Sequence, residues 1–100
     1  MTNEDIFNTA VRNGLEAFNA TDPSDGPGLG FLRVHLLSDA SDFARWARQN
    51  GKVQRDRIYG ELYVAVVMLG SHAQRQNYAN AFAKTLRSFG IIAYAREHLD

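Results

Sequence analysis

Apolar residues recur at Ile6, Phe7, Ala10, Val11, Leu15 and Phe18, the three-and-four spacing of one helical stripe. Thr2 and Asp5 precede it at capping-box spacing, with Asp where Glu is usual, so a helix is expected over about residues 3–19. The run Thr21-Asp22-Pro23-Ser24-Asp25-Gly26-Pro27-Gly28 then carries both prolines and reads as a linker over about 20–30.

From Phe31 the period changes to two. Leu32, Val34 and Leu36 fall on one face of a strand, and Phe31, Arg33 and His35 on the other. Ser38-Asp39-Ala40-Ser41-Asp42 is a helix start, Ala40, Phe43, Ala44 and Ala47 have helical spacing, and Asn50-Gly51 is a stop. Lys52–Tyr59 is poor in apolar residues and fits a charged edge strand. Tyr59-Gly60 can turn the chain into Glu61–Leu69, which is apolar on both faces and suits a central strand. Ser71 can cap a helix whose inner face is Tyr78, Ala79, Phe82, Ala83 and Leu86 and whose stop is Gly90; Ile91–Ala95 is a short last strand.

The expected fold is therefore α+β: an N-terminal helix followed by a ferredoxin-like β-α-β-β-α-β core, residues 31–100, in a single domain spanning 1–100. The two most apolar strands then lie in the centre and the polar one at an edge. An all-α alternative runs Val53–Leu69 as one helix, with Ile58, Leu62, Ala65 and Leu69 in step. Two helices would cover one sheet face and leave Phe31, Arg33, His35, Tyr63, Ala65 and Val67 on the other. The first helix is expected to cover that second face, the alternative being that its stripe serves a second subunit.

Composition narrows the class. In 100 residues, 45% are hydrophobic, which is too many for a disordered chain, and none is cysteine, so disulfides, thiolate metal sites and cysteine nucleophiles are excluded. No apolar run approaches the roughly 18 residues of a membrane span, and the acidic, polar N-terminus is no signal peptide, so a cytoplasmic location is expected. Eleven basic and eleven acidic residues balance overall but not locally. Residues 1–42 hold seven acidic against two basic side chains, and residues 43–100 hold nine basic against four acidic. Nine of the eleven bases are arginine, the base suited to bidentate and stacked contacts, and this points to an interface.

Candidate chemistry is sparse. Gly26-Pro27-Gly28-Leu29-Gly30 leaves a helix and enters a strand, the reverse of a phosphate loop, and it lacks the Lys-Ser/Thr ending. His35, His72 and His98 have no metal-site spacing, so no metal or cofactor is expected. Ser38, Ser41, Asp39 and Asp42 are explained by helix capping, and no catalytic set emerges. Against the third-strand motif of RNA-recognition domains, Tyr59-Gly60-Glu61-Leu62-Tyr63-Val64-Ala65-Val66 agrees well only at Gly60, Tyr63 and Val64. Glu61 stands where a stacking aromatic belongs, so membership is not claimed.

What remains is surface. Arg45, Trp46, Arg48, Lys52, Arg55 and Arg57 form an expected partner-binding patch, and Asp22, Asp25, Asp39 and Asp42 an expected acidic face. The leading expectation is a small non-catalytic protein-interaction domain. It could be a phage or mobile-element inhibitor of a host nucleic-acid-handling complex; anti-CRISPR proteins are similar in size and build, and no motif goes further. One alternative is a nucleic-acid-binding module that uses the arginines. Another is an oligomeric ferredoxin-like domain that binds a small molecule or a second copy on the Phe31, Arg33, His35 and Tyr63 face. A monomer and a homodimer are both compatible with these readings.

Overall fold

The computed structural model describes residues 1–23, 31–66 and 70–98, with Phe31, Leu32 and His98 described as strand positions only. Helix α1 spans Asn3–Ala20, strand β1 Phe31–Leu36, helix α2 Asp42–Gln49 and strand β2 Gln54–Arg55. Strand β3 spans Leu62–Ala65, helix α3 His72–Ser88 and strand β4 Ala93–His98. The chain is α+β, with an N-terminal helix and one four-stranded antiparallel sheet in the order β2-β3-β1-β4. The apolar β1 and β3 hold the centre and the polar β2 an edge. The all-helical alternative is wrong: residues 62–65 pair with β1, and the β-branched Val64 sits well on a pleated surface.

The helix starts are those the sequence encodes. Thr2 and Asp5 complete a reciprocal capping box at α1, Ser41 accepts from the Ala44 amide at 3.1 Å, and Ser71 and Gln74 form a second box at α3. Cross-strand partners share a face, so Val34, Leu36, Leu62 and Ala93 point into the core, where they meet Phe43, Ala44, Ala47, Phe82 and Leu86. Each large side chain buried there contributes on the order of 1.5–3 kcal/mol.

Helix α1 does not cover the other face of the sheet, contrary to expectation. It packs on α3 and touches α2. Three features fix this choice. Gly14 opens a notch for Tyr78, such that a Cβ at position 14 would stand 2.7 Å from the ring. Asn13 donates to Thr85 at 2.9 Å across the helix pair. Asn77 and Gln74 of α3 donate to the hydroxyl and the carbonyl of Thr21, just past the end of α1.

Strand boundaries also differ from expectation, and the third strand covers only Leu62–Ala65 of the expected Glu61–Leu69, with Glu61 and Val66 outside it. The second strand is only Gln54–Arg55, and residues 56–60 form a turn instead of continuing it. The last strand begins at Ala93 and runs on to His98. Residues 24–30 of the expected linker, Asp25 among them, and Val67 lie outside the described residues.

Candidate functional site

The face of the sheet turned away from the helices is built as rows. Gln54, Tyr63, His35 and Tyr94 are register partners on β2, β3, β1 and β4 and form one line across the sheet. The next row places Ala65, Arg33 and Arg96 side by side. Tyr63 donates to Gln54 at 2.9 Å. The His35 ring stacks on Tyr94 with centroids 5.4 Å apart and lies 5.8 Å from the Tyr63 ring. His35 is fully buried although it lies on the face without helices.

The β2–β3 turn and two arginines supply the cover. The Arg33 guanidinium lies 4.1 Å above the Tyr63 ring and 3.7 Å from the Asp56 carboxylate, which is 4% exposed. The Arg96 guanidinium lies 4.6 Å above the Tyr59 ring and 3.9 Å from Glu61. Glu61 accepts from the Tyr94 hydroxyl at 2.9 and 3.1 Å and stands 3.4 Å from His35 Nδ1. The Tyr94 hydroxyl is held above its usual pKa, first by desolvation and then by its bond to Glu61.

The turn itself is tightly tied. Asp56 Oδ1 accepts from the amides of Ile58 at 2.8 Å and Tyr59 at 3.4 Å. The Asp56 carbonyl accepts from Gly60 N–H at 2.9 Å, and the Asp56 amide donates to the Glu61 carbonyl at 2.8 Å. Arg55 donates to the Gly60 carbonyl at 2.6 Å, and Gly60 adopts φ +74°, where glycine is at ease. The tip held by these bonds is apolar and faces water: Ile58 is 79% exposed and Tyr59 59%, beside an exposed Arg57. Past the His35 row, the exposed Leu37, just after β1, and Ile92, just before β4, are joined by a backbone hydrogen bond.

The residues expected to form one basic patch have different surroundings. Arg45 and Arg48 are exposed on α2 and line a shallow surface depression with Gln49. Trp46 is partly buried. It packs on the core between Phe7 and Phe43, with ring centroids at 6.0 and 5.8 Å. The Lys52 ammonium lies 5.3 Å from the centre of the Phe7 ring. Arg55 is tied to the turn and pairs with Asp39 at 2.9 Å. Of the expected acidic face, Asp42 pairs with Arg45 at 3.6 Å and accepts from Asn3, Asp39 pairs with Arg55, and Asp22 is exposed past the end of α1. Two acids of the first part of the chain thus pair with arginines of the second.

Sequence reasoning gave Arg33, His35 and Tyr63 a common face, which the register bears out. It missed Asp56, Ile58, Tyr59, Tyr94 and Arg96. The signal for the turn was Asp56 followed four residues later by glycine; an Asp side chain readily accepts from the amides that follow it.

No protein-family model matches the chain, and neither does any curated protein or solved structure. Among the described residues, no group of three or more His, Asp or Glu side chains could hold a metal ion, and no helix is long and apolar enough to cross a membrane.

Proposed function

We propose that this chain is a small non-catalytic protein-interaction domain whose contact surface is the β2–β3 turn, led by Arg57, Ile58 and Tyr59. One observation carries the reading: a buried carboxylate and a ring of backbone hydrogen bonds hold two large apolar side chains out in solvent. Folding alone gains nothing from an exposed isoleucine. A turn already fixed in shape loses little entropy on binding, and tyrosine and arginine are the side chains that dominate interface energies. The partner this tip fits is a protein with an apolar pocket edged by a carboxylate, which would receive Ile58 and Tyr59 and pair with Arg57.

The reading includes a ferredoxin-like core. The element order β1-α2-β2-β3-α3-β4, with β1 and β3 central, supports it. A cytoplasmic setting goes with the cysteine-free composition. The narrower idea of an inhibitor that mimics phosphate with its acids loses its motivation, since Asp39 and Asp42 are engaged by Arg55 and Arg45.

Site-directed photo-crosslinking tests the proposal. A photoreactive residue at position 58 should form a discrete protein adduct in cells. The same residue at exposed Lys84 on α3 should not. Equal labelling from both positions removes the turn from the account.

A second reading rests on Arg45 and Arg48, which stand exposed together on α2. They could grip a nucleic-acid backbone, and binding of that kind weakens steeply with salt. Binding to oligonucleotides that is unchanged between low and high salt, or absent, rejects it.

A further inference from the structure

The two edges of the sheet are unlike. β2 is two residues long and ends in the tied turn, whereas β4 runs for six residues and has β1 as its one strand neighbour among the described residues. Two contacts show which of its backbone groups face outward. One step beyond the register pair Leu36–Ala93, the Leu37 amide donates to the Ile92 carbonyl at 3.1 Å. Antiparallel ladders alternate, so Ile92, Tyr94 and Arg96 turn their backbone groups toward β1. Ala93, Ala95 and Glu97 turn theirs away from it, and the outward Ala93 carbonyl accepts from the Arg87 guanidinium at 2.7 Å.

Exposed edges are ordinarily blunted by proline, a bulge or outward charge. β4 contains no proline and follows β1 in unbroken register. Its Arg96 reaches over Tyr59 toward Glu61, and its Glu97 lies 3.5 Å from His72, so both charges are drawn onto their own chain. Pairing with an identical strand then selects one register. Two copies related by an axis through the sheet meet antiparallel, centred on a single residue. Centred on Arg96 or Glu97, the pair sets like charges directly opposite, which is unfavourable. Centred on Ala93 or Tyr94, at the start of the strand, it leaves only a short ladder. Centred on Ala95, it sets Tyr94 opposite Arg96 and Ala93 opposite Glu97, and the small Ala95 lies at the axis. The outward amides and carbonyls of Ala93, Ala95 and Glu97 all find partners in that register. The Ala93 carbonyl can accept a second bond beside Arg87, because a carbonyl has two lone pairs. Ile92, exposed in one chain, gains a cross-strand neighbour at position 98.

From this arrangement we infer that β4 is a self-association edge: a second copy of this chain pairs with it antiparallel, centred on Ala95, and joins the two sheets into one continuous sheet. Main-chain hydrogen bonds supply the contact, and the arrangement of charge along the strand sets the register. The interface lies at the edge opposite β2 and does not rest on the reading of the turn as a contact surface. A copy of the chain itself retained on a bait reports this edge and not the turn.

The test uses the isolated full chain at rising concentration. Between about 5 and about 500 µM, the mass from light scattering after size exclusion should climb from that of one chain toward that of two. Hydrogen exchange followed by NMR over the same range should show the amides of Ala93, Ala95 and Glu97 gaining about tenfold in protection, with those of Gln54 and Arg55 unchanged. Ala95→Pro removes the amide at the axis. That amide faces away from β1, a place where an edge strand accepts proline, so the variant should keep the circular dichroism of the parent and stay monomeric. Should the variant lose its fold, the amide protection of the parent still decides. The proposal is overturned if the mass stays that of one chain throughout, which would leave the edge to an extended peptide of another protein. It is equally overturned if a dimer forms while those three amides gain no protection, or if a folded Ala95→Pro variant dimerises like the parent.

Discussion

Arg96 on β4 rests its guanidinium 4.6 Å above the ring of Tyr59, a residue of the turn that joins β2 and β3. One edge of the sheet thus steadies a connection that starts from the other edge. The contact is partly exposed, and cation–π pairs of that kind contribute about 0.5–1 kcal/mol. Arg96→Met should lower the unfolding free energy by about that much in urea titrations. It should also raise the amide-exchange rate at Tyr59 while leaving α3 unaffected. A variant with an unchanged Tyr59 exchange rate would show that the turn holds itself without this contact.

Asp56 and Ile58 are neighbours with opposite expected effects. Asp56→Ala strips an acceptor from two turn amides and leaves Arg33 without its carboxylate, so a loss of about 2–3 kcal/mol is expected. Ile58→Asp alters a side chain that is 79% exposed and should change stability by no more than about 0.5 kcal/mol. Denaturant melts of the two variants side by side check the contrast. Equal losses would mean that Ile58 serves the fold and not a partner.

At Gly14 the usual helix rule should reverse. Alanine is normally better than glycine inside a helix by about 1 kcal/mol. Here the added methyl would stand 2.7 Å from the Tyr78 ring, which is buried and backed by Phe82. Gly14→Ala should therefore cost about 1–3 kcal/mol in thermal or chemical unfolding. A second change, Tyr78→Leu, makes room, so the double variant should lose less than the two single losses added together.

Alkaline pH should weaken the fold through two tyrosines. Tyr78 and Tyr94 both hold their protons more tightly in the folded chain than the ordinary value of 10.0, first because burial disfavours the phenolate. A folded pKa above the unfolded one gives stability that is complete below about 10 and is lost as pH rises through the folded values. Melting temperatures should hold from pH 8 to 9.5 and fall beyond 10. Tyr78→Phe should flatten the decline, and an unchanged slope in that variant would remove Tyr78 as a cause.

Much of this architecture is readable along the chain because it is periodic. The Val34/Leu36 face of β1, the Tyr78/Phe82/Leu86 face of α3 and the Thr2, Ser41 and Ser71 caps each follow from neighbouring residues. The location of α1 is a different kind of fact. Its stripe shows that it must be buried, but the choice of α3 over the sheet depends on a notch at Gly14 meeting Tyr78 and on Asn13 meeting Thr85. The row Gln54–Tyr63–His35–Tyr94 depends likewise on register between four strands.

The pairing of charges depends on the fold for a related reason. Asp39 and Arg55 belong to opposite ends of the charge asymmetry in the sequence and yet pair at 2.9 Å in the fold. The early start of the turn escaped notice because Val53 and Ile58 favour strands, while Asp56 provides local acceptors that end the strand at Arg55.

The most direct test of the central claim compares two baits in the same lysate, from the organism that encodes the chain. One is the unaltered protein, and the other carries Ile58→Asp and Tyr59→Ala, with its fold checked by circular dichroism. Both are captured after nuclease treatment, and retained proteins are read by mass spectrometry. The account predicts a stoichiometric protein on the unaltered bait, insensitive to nuclease and absent from the double variant. The same protein on both baits, or recovery of nucleic acid alone without nuclease, would contradict it.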